Sequence, residues 1–332
     1  LEKGSIFNYI ITIHNKEDLI EKVLMSVLLC CRDNSYVYPV LDGCTDQTEE
    51  IIDKIANYYD SIPIKKVYMP DVHEILSINA GLRAADQECD GYNIIIQDDV
   101  ILADFAIQSK IERIYEYMNH KIGMLSFRHG INLIIDKINK TIVETDLTES
   151  CFGHGVSDKE PLLPGRLTKR MVVVRSPECI SSRVVREVGV MEEELAPYTY
   201  DNHDYSLRCL KAGCTNVVFS LKFYSGINWG GMRKNRDPQM SLIMKRNRRY
   251  IYEKYKDFIN DLNAEEPKEE QIMLVVESNS SDSEALSEYN KAKSELEEYE
   301  SKKISFFVFK RLFSLFLVLF RKLRNKLLPN RT

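Results

Sequence analysis

The body of this chain has no basic stripe, its cysteines have no paired spacing, and its sequence has no internal repeat. Each absence removes a class of function. Residues 302–332 hold nine Lys or Arg and no acid, so a formal net charge of -5 over 332 residues leaves -14 on the remainder. An acidic body argues against a nucleic-acid groove, which needs a cationic face, and no nucleic-acid partner is expected. The eight cysteines, at 30, 31, 44, 89, 151, 179, 209 and 214, form neither a CxxC pair nor a small disulfide framework. A reduced intracellular compartment is therefore expected rather than secretion. No signal peptide is expected at the start of the sequence.

What is present is alternation. FNYIITI (7–13) is a short, β-branched apolar run of the kind buried in a parallel sheet, and a helical pattern from Glu17 to about Leu29 follows, with Asn15 as its expected cap. YVYPVL (36–41) precedes a helix from about Gln47 to Tyr58, with Asp46 as cap. IKKVYM (64–69) precedes a helix through Leu82, and YNIII (92–96) closes the series. Strand and helix in this rhythm predict right-handed βαβ units and a mostly parallel sheet covered on both faces. Ligands of such sheets sit at the carboxyl ends of the strands. His14, Asn15, Asp42, Asp98 and Asp99 all fall there.

Beyond Val100 the pattern predicts a helix over 105–118, a strand over 123–127, a hairpin around 132–143, a loop over a site from Cys151 to Gly165 and a strand at 171–175. A helix near 177–188, an acidic loop, a helix over about 203–211 and the strand TNVVFS follow. The basic run RNRRYIYEKY (246–255) belongs to a closing helix. Length and these elements give one large α/β domain over 1–262, divided into halves at 6–100 and 101–240. A linker (263–283) and a helical extension (284–332) come after it.

The adjacent acids Asp98 and Asp99 end the apolar run GYNIIIQDD. A hard divalent cation held by one or two carboxylates completes its shell with water and a substrate's phosphates. As an isolated pair, two acids at a strand end also read as a solvated turn.

The order of motifs narrows the choice. ITIHNKED, LDGCTDQT (41–48), INAGLRAA (78–85), QDD (97–99) and VGVMEEELAPYTYDNHDYSLRCLKAG (188–213) occur in the sequence of landmarks of the inverting family-2 glycosyltransferases, which they resemble across roughly residues 6–235. The resemblance implies the nucleotide-binding GT-A fold. It implies a nucleotide-sugar donor, a glycan or lipid-linked acceptor and a Mg²⁺ or Mn²⁺ ion. By the same resemblance Asp42 binds nucleotide, His14, Asn15 and Asn79 line the donor pocket, Asp98 touches ribose or sugar, and Asp99 ligates the metal. Gln97 stands where the family has its first acid, which removes one negative charge from the metal site and leaves an amide able to hydrogen-bond the donor. Cys44 replaces the family's serine.

Inverting transfer needs a general base for the acceptor hydroxyl, and the family places an acidic pair at that step. The pair here reads Asp201-Asn202 with a further acid at Asp204, so the base is Asp201 or, after a shift in register, Asp204; Asp201 is favoured. The ordinary alternative is a solvated helix N-terminus favouring carboxylates. Arg208 is one turn from Asp204 and reads as its ion-pair partner. Arg83 reads as an exposed helix arginine, and Trp229 as packing. NWGGMRKN (228–235) offers Arg233 and Lys234 with a Gly-rich turn for a diphosphate.

The tail differs from the body. ISFFVFKRLFSLFLVLFRKLRNKLL (304–328) is aromatic, aliphatic and basic. Thirteen apolar residues between 304 and 320, at about -0.3 to -0.6 kcal/mol each, roughly balance two central cations at about +2.5 to +3.5 each. A basic helix lying in the interface is expected, placing the protein peripherally on the cytoplasmic face of a membrane. A helix docked on another subunit is the alternative. Two rival functions remain. A sugar nucleotidyltransferase would carry a Gly-rich phosphate loop after its first strand, where this chain reads HNKED. A non-catalytic membrane scaffold would explain Gln97 and Asn202 as departures in a degenerate site. The reading favoured is transfer of a sugar in cell-surface polysaccharide synthesis.

Overall fold

In the computed structural model the described residues are 5–265, apart from 86, 151–161, 164, 175, 227, 228 and 230–237, together with 274, 275 and 294. Contacts divide the chain into units 1–286 and 287–332, and of the second only residue 294 is described.

The first half follows the alternation. Strand β1 (Ile6–Ile13) leads to α1 (Ile20–Leu28), β2 (Ser35–Asp42) to α2 (Thr48–Tyr58), β3 (Val67–Met69) to α3 (His73–Ala84), and β4 (Gly91–Gln97) completes the set. β1 pairs parallel with both β2 and β4, and β2 with β3, so four carboxyl ends line one edge. Both faces of β1 are covered, and Phe7, Tyr9, Ile10 and Ile11 are wholly buried. Helix α3 lies close to this layer because Gly81 has no side chain: a Cβ there would stand 2.3 Å from Ile10 Cγ2.

The second half adds a short β5 (Ile101–Leu102), α4 (Ile107–Tyr117), β6 (Ile122–Ser126), the hairpin β7 (His129–Asp136) and β8 (Thr141–Glu149), β9 (Arg166–Lys169), β10 (Val172–Val174) and β11 (Glu178–Ser181). After these come α5 (Ser182–Val188), α6 (Asp201–Lys211), β12 (Thr215–Phe219), β13 (Phe223–Tyr224), α7 (Met240–Glu265) and β14 (Leu274–Val275). The main sheet runs β14-β9-β12-β6-β11-β4-β1-β2-β3. Its pairings set β9 and β11 against the direction of the other strands, so the sheet is mostly parallel. A smaller sheet, β10-β7-β8, and the pair β13-β5 flank it.

Several expectations need correction. The segment expected as a helix from Pro177 begins as β11, wedged antiparallel between β4 and β6, and only at Ser181, whose Oγ accepts from Val184 N–H, does the helix start. A short apolar run does not separate the two by periodicity. Asn15 does not cap α1. It has φ 45°, and its Oδ1 accepts from Thr45 N–H at 2.8 Å, joining the loops after β1 and β2. The segment expected as a linker contributes β14, which pairs with β9 at the sheet's edge, and α7 extends past 262. The loop at 151–165 falls almost wholly outside the described residues, as does the tail. Among the described residues no helix is long and apolar enough to cross a membrane.

Candidate active site

At the end of β2 the chain must turn sharply, and Gly43 at φ 59° does so where a Cβ would meet Asp71 Cβ at 2.6 Å. This close approach lets Asp42 accept from the Val72 and His73 amides, each at 2.7 Å. Asp42 thereby supplies, from another strand, the cap that Val72 at the start of α3 has no side chain to give. His14 continues the edge. Its Nδ1 lies 2.6 Å from the Asp42 carbonyl oxygen and its backbone N–H donates to Asp98 Oδ2 at 3.0 Å. One residue therefore ties the end of β2 to the residues after β4.

Sequence reasoning passed over Lys16. It is 5% exposed, and its Nζ lies 2.9 Å from the Trp229 carbonyl oxygen and 3.2 Å from Asp98 Oδ1. The turn HNK held the signal: a lysine three residues beyond the end of β1, next to the strand β4 that is followed by two acids. Burial pushes the Asp98 carboxyl up to about 6, against the pull of Lys16 and the His14 amide. Asp99 beside it is 5% exposed. Trp229 is buried, as its packing reading requires.

Gln97 is held by its neighbours, and Asn79 is placed differently from its expected role. The Gln97 side-chain amide donates to Glu74 Oε1 on α3, and its backbone N–H to Ser176 Oγ. Asn79 is wholly buried. Its Nδ2 donates to the Met191 carbonyl at 2.9 Å and its Oδ1 accepts from Met191 N–H at 2.8 Å, which fastens α3 to the acidic loop instead of lining the donor pocket. Arg83 pairs with Glu193 of that loop. Arg233 and Lys234 lie outside the described residues.

From Gln97 a line of polar groups leads across to α6. Glu178, at the start of β11, is buried and accepts from Asn202 Nδ2 at 2.8 Å. Burial first, then the Asp201 and Glu74 carboxylates, push Glu178 well above the ordinary carboxylate range. Asp201, the first residue of α6, is 7% exposed, and burial raises its carboxyl against the helix-end amides and His203. Glu74 and Glu178 carried no motif and were missed for that reason.

Asp201 and Asp204 differ in their contacts. Asp204 is wholly buried, with Arg208 Nε at 2.7 Å, Lys254 Nζ at 2.9 Å and Tyr255 OH at 2.6 Å. Those contacts occupy both oxygens in joining α6 to α7, an arrangement that suits a structural ion pair.

Among the described residues, two places offer ligands for a divalent ion. His14, Asp42 and Asp71 bring ligand atoms within 4.8 Å of one another. Both Asp42 oxygens already accept amide hydrogen bonds, and the His14 ring is engaged with the strand end. Asp99, a buried carboxylate at the end of β4, suits an ion that takes one protein carboxylate plus phosphates and water.

Residues 9–141 match the family model described as glycosyl transferase family 2. No curated protein sequence matches the chain. Among solved structures, GalNAc-T7 with UDP, GalNAc and Mn²⁺ aligns with a TM-score of 0.54 at 11% identity, over 76% of this chain and 50% of its own. S. aureus TarS 1-349 aligns with a TM-score of 0.46 at 15% identity, over 66% of this chain and 60% of its own. The same TarS fragment in complex with UDP gives 0.45 at 18% identity over the same shares. The chain thus spans 60% or less of the length of these structures.

Proposed function

We propose that this chain, a transferase with a family-2 glycosyl transferase segment over residues 9–141, moves one sugar from a nucleotide-sugar donor to a glycan or lipid-linked acceptor with inversion. The observation that carries the reading is the pair of bonds from His14 to the Asp42 strand end and to Asp98, together with a buried Asp201 beside Glu178 at the start of β11. A nucleotide would lie along that edge, as UDP is named with GalNAc-T7, whose fold this chain shares.

The chain's own groups divide the work. Asp98, fixed by Lys16 and the His14 amide, accepts a hydroxyl of the donor. Asp201 takes the proton of the acceptor hydroxyl as its oxygen forms the new bond to the anomeric carbon and the diphosphate leaves on the opposite face. A base held this way contributes about 10²–10⁴-fold. Asp99 would hold Mg²⁺ or Mn²⁺, which when bound neutralises charge on the leaving diphosphate. The basic, aromatic segment 304–328 would bring the enzyme to the cytoplasmic face of a membrane, in the synthesis of a surface polysaccharide.

Incubation with candidate nucleotide sugars and Mn²⁺ or Mg²⁺, following release of nucleoside diphosphate, tests the reading. Turnover that falls with Asp99→Asn and with Asp201→Asn supports it; no turnover and no stabilisation by any nucleoside diphosphate would refute it. Sedimentation with anionic vesicles, lost on deletion of 304–332, tests the membrane part.

A further inference from the structure

Asn247 is wholly buried on α7 between two exposed arginines, Arg246 and Arg248. An amide in that place is unexpected for a packing position, since burying it costs free energy unless it is bonded. Its bonds are unusually convergent. Nδ2 lies 2.8 Å from the Leu195 carbonyl oxygen, 3.0 Å from that of Tyr198 and 2.9 Å from that of Thr199. Its Oδ1 accepts from Arg246 Nε at 2.8 Å, and the same guanidinium donates to the Ala196 carbonyl oxygen. Two amide protons thus serve three carbonyls of one loop.

That loop is strained where it meets the site. Thr199 has φ 75° and Tyr200 φ 66°, left-handed conformations in which the Cβ crowds the following carbonyl oxygen. Such conformations persist only where the surroundings over-determine them. Asp201 is the next residue and the first of α6. Two turns further along α7, Lys254 and Tyr255 hold Asp204 in the first turn of α6. The same helix therefore grips the chain on both sides of Asp201.

We infer that Asn247 is a positioning residue, which gathers the carbonyls of Leu195, Tyr198 and Thr199 so that the left-handed pair Thr199-Tyr200 delivers Asp201 to its place opposite the donor edge. The inference rests on Asp201 being the base. Asn247 itself touches no donor-side residue among its described contacts, so nucleotide binding and turnover respond separately to its loss.

The test compares Asn247→Ala, Asp201→Asn and the double variant in the full-length protein. For each, donor turnover is measured alongside calorimetric affinity for whichever of UDP, GDP or TDP binds the wild type most tightly with Mn²⁺. The expected result is kcat lowered about 10²-fold by Asn247→Ala, the scale of a misplacement near 1 Å, with nucleotide affinity unchanged. The double variant should be no slower than Asp201→Asn, because both changes disable one group. Multiplying effects in the double variant would overturn the inference, as would wild-type kcat in Asn247→Ala. Nucleotide affinity falling in step with kcat would make the residue a general stabiliser, also against it. Asn247→Ser, which keeps a donor, takes the place of Asn247→Ala should the latter not fold, and loss of nucleotide binding in both overturns the inference. Wild-type speed in Asp201→Asn would retract the base itself, an outcome distinct from all the others.

Discussion

Asn202 donates to Glu178 across 2.8 Å, bonding the first turn of α6 to the antiparallel strand in the middle of the sheet. The bond fixes two acids near one another in a buried place, and their proton affinities separate. Glu178 is driven well above the carboxylate range by burial and by Asp201 and Glu74, so Asp201 ionises before it. A pair pushed apart in this way leaves one member to act as a base while the other keeps its proton.

The acid limb of the rate profile is expected to report Asp201. Its carboxyl is raised by burial, so activity should fall below a midpoint higher than that of an ordinary aspartate. The facing groups are Glu178 from β11, itself beside Glu74 of α3, and His203 and Asp204 on its own helix. Asp201→Asn should lower kcat by about 10²–10⁴-fold. It should leave the melting temperature unchanged or higher, because a buried charge has been removed. Glu178→Gln, measured in the same pH series, should leave the limb in place, since burial and its acidic neighbours hold Glu178 well above the ordinary carboxylate range.

Stability should show the opposite partner. A carboxyl whose folded pKa is raised keeps its proton in the native state after the unfolded chain has lost it. Stability therefore falls as pH rises from the ordinary glutamate range toward the native value of Glu178. Urea denaturation at pH 5 and pH 8 should find the wild type weaker at pH 8, and Glu178→Gln should flatten the difference. An equal slope in both proteins would contradict the placement of this proton.

Asp204→Asn should behave as a structural change. Removing one partner from a buried ion pair costs about 3–5 kcal/mol, because the remaining charges stay buried. Lys254 and Arg208 would be left facing a neutral amide. The expected outcome is a large loss in the denaturation midpoint, with kcat per folded molecule close to wild type at low temperature. A stable, inactive variant would return Asp204 to the active site.

Much of this was legible in the chain. Period-two and period-3.6 patterns placed β1 to β4 and their helices, because each strand there is covered on both faces and each helix has one apolar side. The strand ends then put Asp42, Asp98 and Asp99 on one edge. What escaped were residues defined by partners far away in sequence. Lys16 acquires meaning only against Asp98, 82 positions on, and Asn247 only against the loop at 195–199. Asn79 had a motif and was misassigned, because the same amide suits a donor pocket or a buried backbone bond, and only the fold decides. β11 escaped because four residues carry too little periodicity to oppose a helical reading.

Lys16→Met should expose how much the donor edge depends on one buried charge. The ammonium joins Asp98 to the Trp229 carbonyl, and a methionine fills similar space without either bond. Loss of a buried, hydrogen-bonded charge partner costs about 2–5 kcal/mol. Calorimetry should find nucleoside diphosphate affinity reduced at least about tenfold, with a lower unfolding midpoint. Unchanged affinity would place the nucleotide away from Asp98.

Gly43→Ala tests the other end of the same edge. The glycine has φ 59°, and a Cβ would stand 2.6 Å from Asp71 Cβ and 2.9 Å from Asp71 N. Alanine would cost about 1–2 kcal/mol for the left-handed backbone alone. It would also push away the turn whose Val72 and His73 amides occupy the Asp42 carboxylate. With the cap of α3 displaced, His14 loses its fixed partner at the Asp42 carbonyl, so the damage reaches the nucleotide edge and not only the turn. The expected outcome is weaker nucleoside diphosphate binding at an otherwise folded site, with the far-ultraviolet circular dichroism unchanged. Full affinity in Gly43→Ala would mean that the Asp42 turn bears no part of the bound nucleotide.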